Sequence, residues 1–430
     1  MKQNIFVLGL DEPGHSELAA LPHAGWCSFH GILALEDLQD GLISLTDLLG
    51  QAEEQLDAFD GPIDAIVGYW DFPVSVMVPI LCERYGLPTK PLEGVVKCEH
   101  KYWSRLEQQK VIDEYPGFDL IDIHDPSARL PRHMAYPAWL KPIKSFSSEG
   151  AHQVKDETEL QEALAEEREA PERIGGAFDY VLEKLDLPEE VADIPGGAYM
   201  VEEAAEGQQY TLEGYSWGDQ IEIIGLVDSF NYENVPSFLK YQYPSTLPEP
   251  VQQHIHDVSR RVISAVGLTD STFNIEYFWD ASAERLRLLE INSRHSQSHA
   301  QMFHWVDGQP NHAVMLDLAL GREPRMPSRQ GNHAIAAKWM LRHFQDGVVR
   351  KVPTADTIRA IEQRYDNVSI DIEVAVEEGA RLSDADTEDS YSFTLAEIFI
   401  AGDTEQQLSE IYDACCEDLA IEIADDVEGA

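Results

Sequence analysis

Glu276, Glu290 and Asn292 lie within the two apolar halves of one stretch, residues 273–292, which reads FNIEYFWDASAERLRLLEIN. The stretch predicts two strands joined by a polar turn, with Glu276 in the first strand and Glu290 and Asn292 in the second. Because side chains alternate between the two faces of a strand, Glu290 and Asn292 share one face. A carboxylate inside an apolar strand is unfavourable unless something compensates its charge. This segment therefore predicts a β-hairpin whose carboxylates need a cation.

Oxygen ligands of this kind suit Mg²⁺, which binds through one or two carboxylates together with waters and substrate phosphates. We therefore predict that Glu276, Glu290 and Asn292 hold Mg²⁺, with Mn²⁺ as the alternative ion. Arg294 follows the hairpin and puts a permanent positive charge where a phosphate or acyl-phosphate oxygen would lie. The alternative is a pair of half-exposed glutamates on an edge hairpin.

The charge of the chain excludes several classes of partner. Acidic residues number 78 against 31 basic ones, for a net charge of −47, so phosphate backbones would be repelled and no nucleic-acid partner is expected. No uncharged apolar run reaches the roughly 18 residues of a membrane span. The five scattered cysteines have no metal-ligand spacing, which favours reduced thiols in a cytoplasm.

The first half of the chain alternates strand and helix patterns. A strand at 5–10, a helix at 42–59 and a strand at 64–69 predict a parallel α/β unit, followed by a helix at 70–85. A single helix is predicted at 95–109, and it carries Lys101. Lys141 ends a predicted strand at 136–141. A Ser/Gly loop follows at 145–150, and then an acidic helix at 156–169.

In the second half, three strands are predicted within 196–227, and an amphipathic helix at 247–266 leads into the hairpin. We interpret 228–243 and 295–305 as loops that shape a substrate pocket. A Pro/Arg-rich stretch at 322–330 is a predicted linker. Beyond it we predict strands near 333–341, 369–376 and 392–401 and a helix at 404–418.

The order of the charged residues resembles that of the ATP-grasp carboxylate–amine ligases: two lysines, an acidic strand and a final hairpin, here Lys101, Lys141, Glu202, Glu203, Glu276, Glu290, Asn292 and Arg294. The hairpin ends in E-I-N-S-R, where that family commonly carries E-I-N-P-R. In length and layout the chain is most similar to the L-amino-acid (dipeptide) ligases.

The resemblance implies an α/β (α+β) protein with the ATP-grasp fold, an N-terminal Rossmann-like pre-ATP-grasp domain and a C-terminal biotin-carboxylase-like subdomain. It divides the chain into a pre-ATP-grasp domain (1–95), an ATP-grasp small and lid region (96–195), a large subdomain with the metal site (196–325) and a C-terminal α+β domain (326–430). It also implies ATP as the nucleotide, with Mg²⁺.

Roles for individual residues follow from the same resemblance. Lys101 and Lys141 would lie near the α- and β-phosphates, and Arg294 and Lys141 would be catalytic. The Ser/Gly loop would close over the phosphates through Ser147, Ser148 and Gly150, and the hinge strand would contact adenine and ribose through Glu202, Glu203 and Ala204. Gln209 stands where relatives often carry a glutamate, and Glu213 is a weaker candidate for that role.

Several histidines follow the hairpin. His295 and His299 are four residues apart and could bind zinc on a helix, but the intervening Ser-Gln-Ser gives no helical pattern and no cysteine lies nearby. We favour loop packing or contact with a substrate, with His295, Ser298 and His299 as the candidate substrate residues.

The implied function is ATP-dependent ligation of a carboxylate to an amine through an acyl phosphate, with an amino acid as one substrate. The alternatives are a biotin-carboxylase-like carboxylase, although loop 145–150 lacks the glycine-dense lid of those enzymes, and a catalytically silent ATP-binding protein. The partners would be small-molecule carboxylates and amines. Both a monomer and the homodimer common among the relatives stay open.

The acidic excess is spread along the whole chain and suits a salty cytoplasm, where counterions screen self-repulsion. We therefore expect the melting temperature to rise as NaCl is increased from low to molar concentration. Differential scanning calorimetry tests this, and a melting temperature that falls over that range would contradict a salt-tolerant source.

Overall fold

The computed structural model describes residues 2–22, 24–39, 41–145, 149–170, 173–384 and 391–424. Strands and helices are numbered in chain order. The first unit contains a parallel sheet, in the order β2-β1-β3, with its helices. Its elements are β1 (Gln3–Leu8), α1 (Glu12–Ala19), β2 (Cys27–Ile32), α2 (Leu35–Gln39), α3 (Leu45–Asp57), β3 (Ala65–Val67), α4 (Val74–Tyr85) and α5 (Leu92–Glu99).

The predicted parallel α/β unit is therefore confirmed. Its middle strand, β1, pairs with β2 and β3 in parallel register, and its four last residues are buried, as expected for a strand covered on both faces. Helix α4 ends at Gly86, whose φ of 67° is the left-handed conformation that closes helices.

The single helix predicted at 95–109 is wrong, because the chain forms two helices there, α5 and then α6 (Lys101–Gln108). His100 breaks the run with an extended ψ of 94°, and its Nδ1 accepts a hydrogen bond from the Trp103 backbone N–H at 3.1 Å. The side chain thus caps α6. Lys101 becomes the first residue of a new helix.

The second unit is a four-stranded antiparallel sheet in the order β4-β7-β5-β6, with helices beside it. Its elements are β4 (Phe118–Ile121), β5 (Ala138–Pro142), β6 (His152–Val154), α7 (Glu157–Glu169), α8 (Gly175–Leu182), α9 (Glu189–Ala192) and β7 (Tyr199–Glu203). Asp156 caps α7 by accepting from two backbone N–H groups.

The third group of elements builds most of an eight-stranded antiparallel sheet. It comprises β8 (Gln208–Trp217), β9 (Gln220–Asn231), β10 (Phe238–Tyr243), α10 (Glu249–Val266), β11 (Ser271–Asp280), β12 (Arg285–Asn292), α11 (Ala300–Asp307) and α12 (His312–Ala319). The predicted hairpin is confirmed as β11 and β12. The interpretation of 228–243 and 295–305 as loops is wrong, since β9 extends into the first segment, where β10 pairs with it, and α11 begins within the second. The three strands predicted in 196–227 exist, but β7 belongs to the four-stranded sheet.

The last group continues the large sheet. It comprises β13 (Ile335–His343), β14 (Val348–Lys351), α13 (Ala355–Glu362), β15 (Ser369–Val374), β16 (Phe393–Gly402), α14 (Glu405–Leu419) and β17 (Glu422–Ala424). The eight strands run in the order β12-β11-β8-β9-β10-β13-β16-β15, so the sheet crosses the predicted boundary at 325/326. The four-way division of the chain itself stays a prediction.

One hydrophobic core joins the first unit to the large sheet and to α8, and it includes Leu8, Phe72, Phe178, Leu212 and Phe273, all buried. Burial of apolar surface on this scale fixes the first unit against the hairpin side of the sheet. Of the helices within the described ranges, none combines the length and apolar character needed to cross a bilayer.

Gly207, which leads into β8, tests the fit between β8 and β11. Its φ is 109°, and an added Cβ would lie 2.2 Å from the backbone oxygen of Trp279. Gly207→Ala should lower the free energy of unfolding by about 2–4 kcal/mol, because neither backbone can yield without breaking the sheet. Chemical denaturation measures the loss.

Gly218→Ala is the matched control. Gly218 also has a positive φ, 54°, but an added Cβ meets nothing within 4 Å, so only about 1 kcal/mol of backbone strain is expected. Equal losses for the two variants would contradict the close approach at Gly207.

Candidate active site

The polar face of the large sheet is built by residues in register on β8, β11 and β12. Glu276 pairs with Glu290 on one side and Thr211 on the other. Residues directly opposite on neighbouring strands project to the same face, so the two carboxylates lie side by side. We call Glu276 and Glu290 the carboxylate pair.

The pKa of Glu276 indicates that a negative charge at this position is not compensated. Burial, followed by the charge of Glu290, raises the pKa of Glu276 to about 8. One of its oxygens, Oε2, accepts a hydrogen bond from Gln209 Nε2 at 2.7 Å. Gln209, at the position where a glutamate was expected, thus supplies a neutral donor in place of a third carboxylate.

Asn292 completes the predicted metal ligands. Its Nδ2 donates to Asn274 Oδ1 at 2.9 Å, which leaves its own amide oxygen available on the same face. Two carboxylates and an amide oxygen fit Mg²⁺, which keeps several water or phosphate ligands. Among the described residues, no three His, Cys, Asp or Glu side chains form a metal-binding group by themselves, so a cation here would need such additional ligands.

Arg294 is held by a residue of the first unit that the sequence did not indicate. Its guanidinium donates to both carboxylate oxygens of Asp71, from Nε at 3.1 Å and from Nη2 at 2.5 Å. Burial disfavours the charged form of both side chains, but their mutual attraction and hydrogen bonds outweigh it. Arg294 therefore lowers the pKa of Asp71, and Asp71 raises the pKa of Arg294. This is the bidentate geometry that arginine favours with carboxylates.

Three lysines, Lys101, Lys141 and Lys144, form what we call the lysine group. Burial lowers the pKa of Lys101 to about 8; the charge of Glu290 opposes this shift, and those of Lys144 and Lys141 add to it. Lys101 is therefore within electrostatic reach of Lys141, Lys144 and Glu290. Lys101 Nζ donates to the Ser145 carbonyl at 3.0 Å, and Lys144 pairs with Glu99 at 2.7 Å.

The buried carboxylate of Glu202, on β7, holds the four-stranded sheet against the site. It forms ion pairs with Lys141 and with Arg105, whose Nε lies 2.7 Å from Glu202 Oε1. Although burial opposes the charged form, Arg105 and Lys141 lower the pKa of Glu202 to about 2. Arg105 Nη2 also donates to the Leu289 carbonyl of β12 at 2.5 Å, so this network joins both sheets.

The remaining predicted nucleotide contacts are only partly described. The Glu203 N–H donates to the Gly117 carbonyl at 2.8 Å, and the Ala204 N–H to the Pro137 carbonyl at 3.2 Å, so both are engaged within the protein. Gly150 adopts a left-handed φ of 69° after the Ser/Gly loop. Ser147 and Ser148 lie outside the described residues.

The three candidate substrate residues occupy different surroundings. His295 is fully buried, and its ring nitrogens contact Thr272 Oγ1 at 3.2 Å and His312 Nδ1 at 2.8 Å. His299 Nδ1 lies 2.9 Å from Oε1 of the buried Glu213. Neither histidine is placed to share a zinc ion with the other.

Ser298 lies beside the last group of strands. Its hydroxyl accepts from Lys338 Nζ at 3.2 Å, and Lys338 also pairs with Glu397 at 2.6 Å. The substrate roles of His295, Ser298 and His299 stay predictions.

Sequence reasoning missed Asp71, Lys144 and the pairing of Arg105. Asp71 had a usable signal, because it lies just beyond the carboxyl end of β3, where ligands of parallel α/β sheets bind. Lys144 follows β5, the strand that already carries the predicted site residue Lys141. Arg105 lies one helical turn after Lys101, but its partner Glu202 is 97 residues away, so no local pattern connects them.

Comparison with known proteins agrees with this geometry. Residues 134–300 match the family model of the ATP-grasp domain. The chain therefore carries an ATP-grasp domain, and the resemblance to the ATP-grasp superfamily is confirmed.

Solved structures with a similar fold include an L-amino acid ligase from Bacillus licheniformis (14% identity, 99% of each chain covered, TM-score 0.72). A phosphoribosylglycinamide synthetase from Anaerococcus prevotii matches at 13% identity over 99% of this chain and 100% of that one, with a TM-score of 0.67. A biotin carboxylase from Campylobacter jejuni matches at 13% identity over 98% and 92%, with a TM-score of 0.64. These likenesses confirm the ATP-grasp fold.

A curated relative, the uncharacterized protein y4rH of Sinorhizobium fredii, is 23% identical over 287 residues, or 65% of this chain. The match covers 54% of that protein, so the chain spans about half the length of this relative.

The raised pKa of Glu276 predicts a pH-dependent stability. Between the ordinary value of 4.5 and about 8, the native state holds a proton that the unfolded state releases, so this group makes stability fall as pH rises. Glu276→Gln cannot ionise and should be more stable than wild type by roughly 1–3 kcal/mol at pH 8, converging with it below about pH 4.5.

Chemical denaturation across this pH range, without divalent ions, measures the difference. Mg²⁺ should stabilise the wild-type protein at pH 8 and have little effect on Glu276→Gln. Glu284→Gln, an exposed change in the turn of the same hairpin, is the control. Parallel pH profiles for wild type and Glu276→Gln would contradict the assignment.

Proposed function

We propose that this protein is an ATP-dependent carboxylate–amine ligase that forms an amide or peptide bond through an acyl phosphate, with an amino acid as one substrate. The observation that carries the proposal is the carboxylate pair, with its excess negative charge, within electrostatic reach of Lys101 and Arg294. A cation and a polyphosphate together match this charge pattern.

In the proposed reaction the substrate carboxylate attacks the γ-phosphorus of ATP, the bond to the β-phosphate oxygen breaks, and ADP leaves. The amine then attacks the acyl carbon, loses a proton, and inorganic phosphate departs. Such chemistry depends mainly on positioning and charge stabilisation. When bound, Mg²⁺ supplies charge neutralisation at the phosphate oxygens.

Each side chain of the site has a role in this scheme. Glu276, Glu290 and Asn292 would hold the metal, and Lys101 and Lys141 would anchor the phosphates. Arg294 would steady the transferring phosphoryl group. Since Asp71 already orients the guanidinium through two hydrogen bonds, little reorganisation would be needed at the moment of transfer.

The flanking residues would bind the remaining parts of the substrates. Ser147, Ser148 and Gly150 would close over the phosphates, and the Glu202–Ala204 hinge would face the nucleoside. His295, Ser298 and His299 follow directly after Arg294 and are proposed as neighbours of the acceptor. Small-molecule carboxylates and amines are the proposed partners. Light scattering of the purified protein would distinguish a monomer from a homodimer.

Glu290→Gln should lower kcat for ADP formation by roughly 100-fold or more, because it removes half of the charge that holds the metal. Glu284→Gln in the turn of the same hairpin should retain activity. A coupled ADP assay with the productive substrate pair measures both. Turnover of Glu290→Gln with an unchanged substrate dependence would contradict the metal assignment.

The substrates are sought by a phosphate-release screen of the purified protein against paired amino acids, amines, and hydroxy or fatty acids, with mass spectrometry of the products. Amine-dependent phosphate release with an amide product supports the ligase. Stimulation by bicarbonate and biotin instead would favour the biotin-carboxylase-like alternative. Tight ATP binding without ADP formation in any substrate pool would favour a catalytically silent protein.

A further inference from the structure

A row of hydrogen-bonded side chains runs from the end of the hairpin to the first unit. It consists of Thr272 on β11, His295 just after β12, His312 at the start of α12 and Glu17 on α1, and we call it the histidine chain. The contacts measure 3.2 Å from Thr272 Oγ1 to His295 Nδ1, 2.8 Å from His295 Nε2 to His312 Nδ1, and 2.8 Å from His312 Nε2 to Glu17 Oε2.

The direction of every hydrogen bond in the chain follows from its two ends. The Thr272 hydroxyl accepts from the His295 backbone N–H at 3.2 Å. Because the Glu17 carboxylate at the other end can only accept, neutral rings leave His295 Nδ1 as the acceptor of the Thr272 proton. His295 then carries its proton on Nε2 and donates to His312 Nδ1. His312 in turn carries its proton on Nε2 and donates to the Glu17 carboxylate, which can only accept.

Both histidines are fully buried, whereas the Glu17 side chain is 42% exposed. Burial, reinforced by His312 and Arg294, lowers the pKa of His295 well below its usual range, in keeping with a neutral ring. The ring of Tyr69 also packs edge-on against His312, with centroids 5.0 Å apart. A buried polar chain satisfied at every atom rigidifies what it touches.

What the chain touches is the peptide that carries Arg294. The carbonyl of Arg294 accepts from Asn274 Nδ2 at 3.1 Å, and the preceding carbonyl, of Ser293, accepts from the buried Lys90 at 2.7 Å. His295 supplies the third constraint on this backbone. The first unit thus grips two consecutive residues, Arg294 through Asp71 and His295 through His312 and Glu17.

We propose that His312 and Glu17 are positioning residues for phosphoryl transfer: acting through His295, they fix the backbone that aims the Arg294 guanidinium. The proposal rests on the proposed function, in which Arg294 steadies the transferring phosphoryl group. Neither residue contacts Arg294 itself, so both act through His295. A positioning role requires only that the far end of the chain accept a hydrogen bond, and not that it take up a proton.

The experiment exploits the half-exposed position of Glu17, where substitution is compatible with folding. Glu17→Ala removes the acceptor, and kcat for ATP turnover should fall about tenfold, as for other outer-shell partners, while KM for ATP stays within about twofold because binding without transfer is untouched. Glu17→Gln keeps an acceptor oxygen and should recover most of kcat. Glu12→Ala and Glu12→Gln, on the exposed side of the same helix, are the matched controls.

Unchanged kcat in Glu17→Ala would overturn the proposal. So would a Glu17→Gln variant as slow as Glu17→Ala, because that result requires proton uptake at Glu17 and not positioning. An equal loss in the Glu12 variants would likewise count against it, since it would trace the effect to the charge of α1.

A second measurement separates this proposal from the proposed function. If the wild-type protein turns over no ATP with any substrate pair, the ligase proposal fails, and the chain is tested by unfolding without nucleotide. Glu17→Ala, His312→Asn and the double variant form a cycle. If the hydrogen bonds of the histidine chain are coupled, the double variant should have the same free energy of unfolding as His312→Asn alone. Losses in the two single variants that simply add in the double variant would overturn the proposal.

Discussion

The guanidinium of Arg294, a side chain only 16% exposed, is the constraint on which the site depends. An arginine removed from water must be paired and hydrogen-bonded, and breaking such a pair leaves an uncompensated charge. Here the partner, Asp71, comes from the first unit, while Arg294 ends the hairpin of the large sheet. The site is therefore complete only when these two parts of the chain are packed together. The shared hydrophobic core around Phe72 and Phe273 supplies that packing.

Most other charges of the site are likewise paired. Glu202 is satisfied by Arg105 and Lys141, and Glu99 pairs with Lys144. The carboxylate pair differs, because its members lie side by side, and burial followed by the charge of Glu290 raises the pKa of Glu276. We propose that a divalent cation with attached phosphates binds here, since cation binding would relieve a repulsion that folding has imposed.

Local patterns account for the elements that the sequence predicted well. The alternation of Glu290 and Asn292 against Leu289 and Ile291 indicated both the hairpin and the shared face, and the register confirms it. Errors arose where a side chain or a distant strand overrode the local pattern. His100 splits an apparently continuous helix by capping its second half. The aromatic segment around Phe238–Tyr243 becomes a strand because β9 and β13 offer it partners on both sides.

The sequence by itself determined the hairpin with its carboxylates, the order of the two lysines and the resemblance to the ATP-grasp ligases, because each depends on residues close together or on a characteristic order along the chain. Only the tertiary structure decided which charges meet. Asp71 and Arg294 are 223 residues apart, and Glu17 and His312 are 295 apart. Such pairs follow no periodicity, since they are brought together by the packing of whole units around a common core.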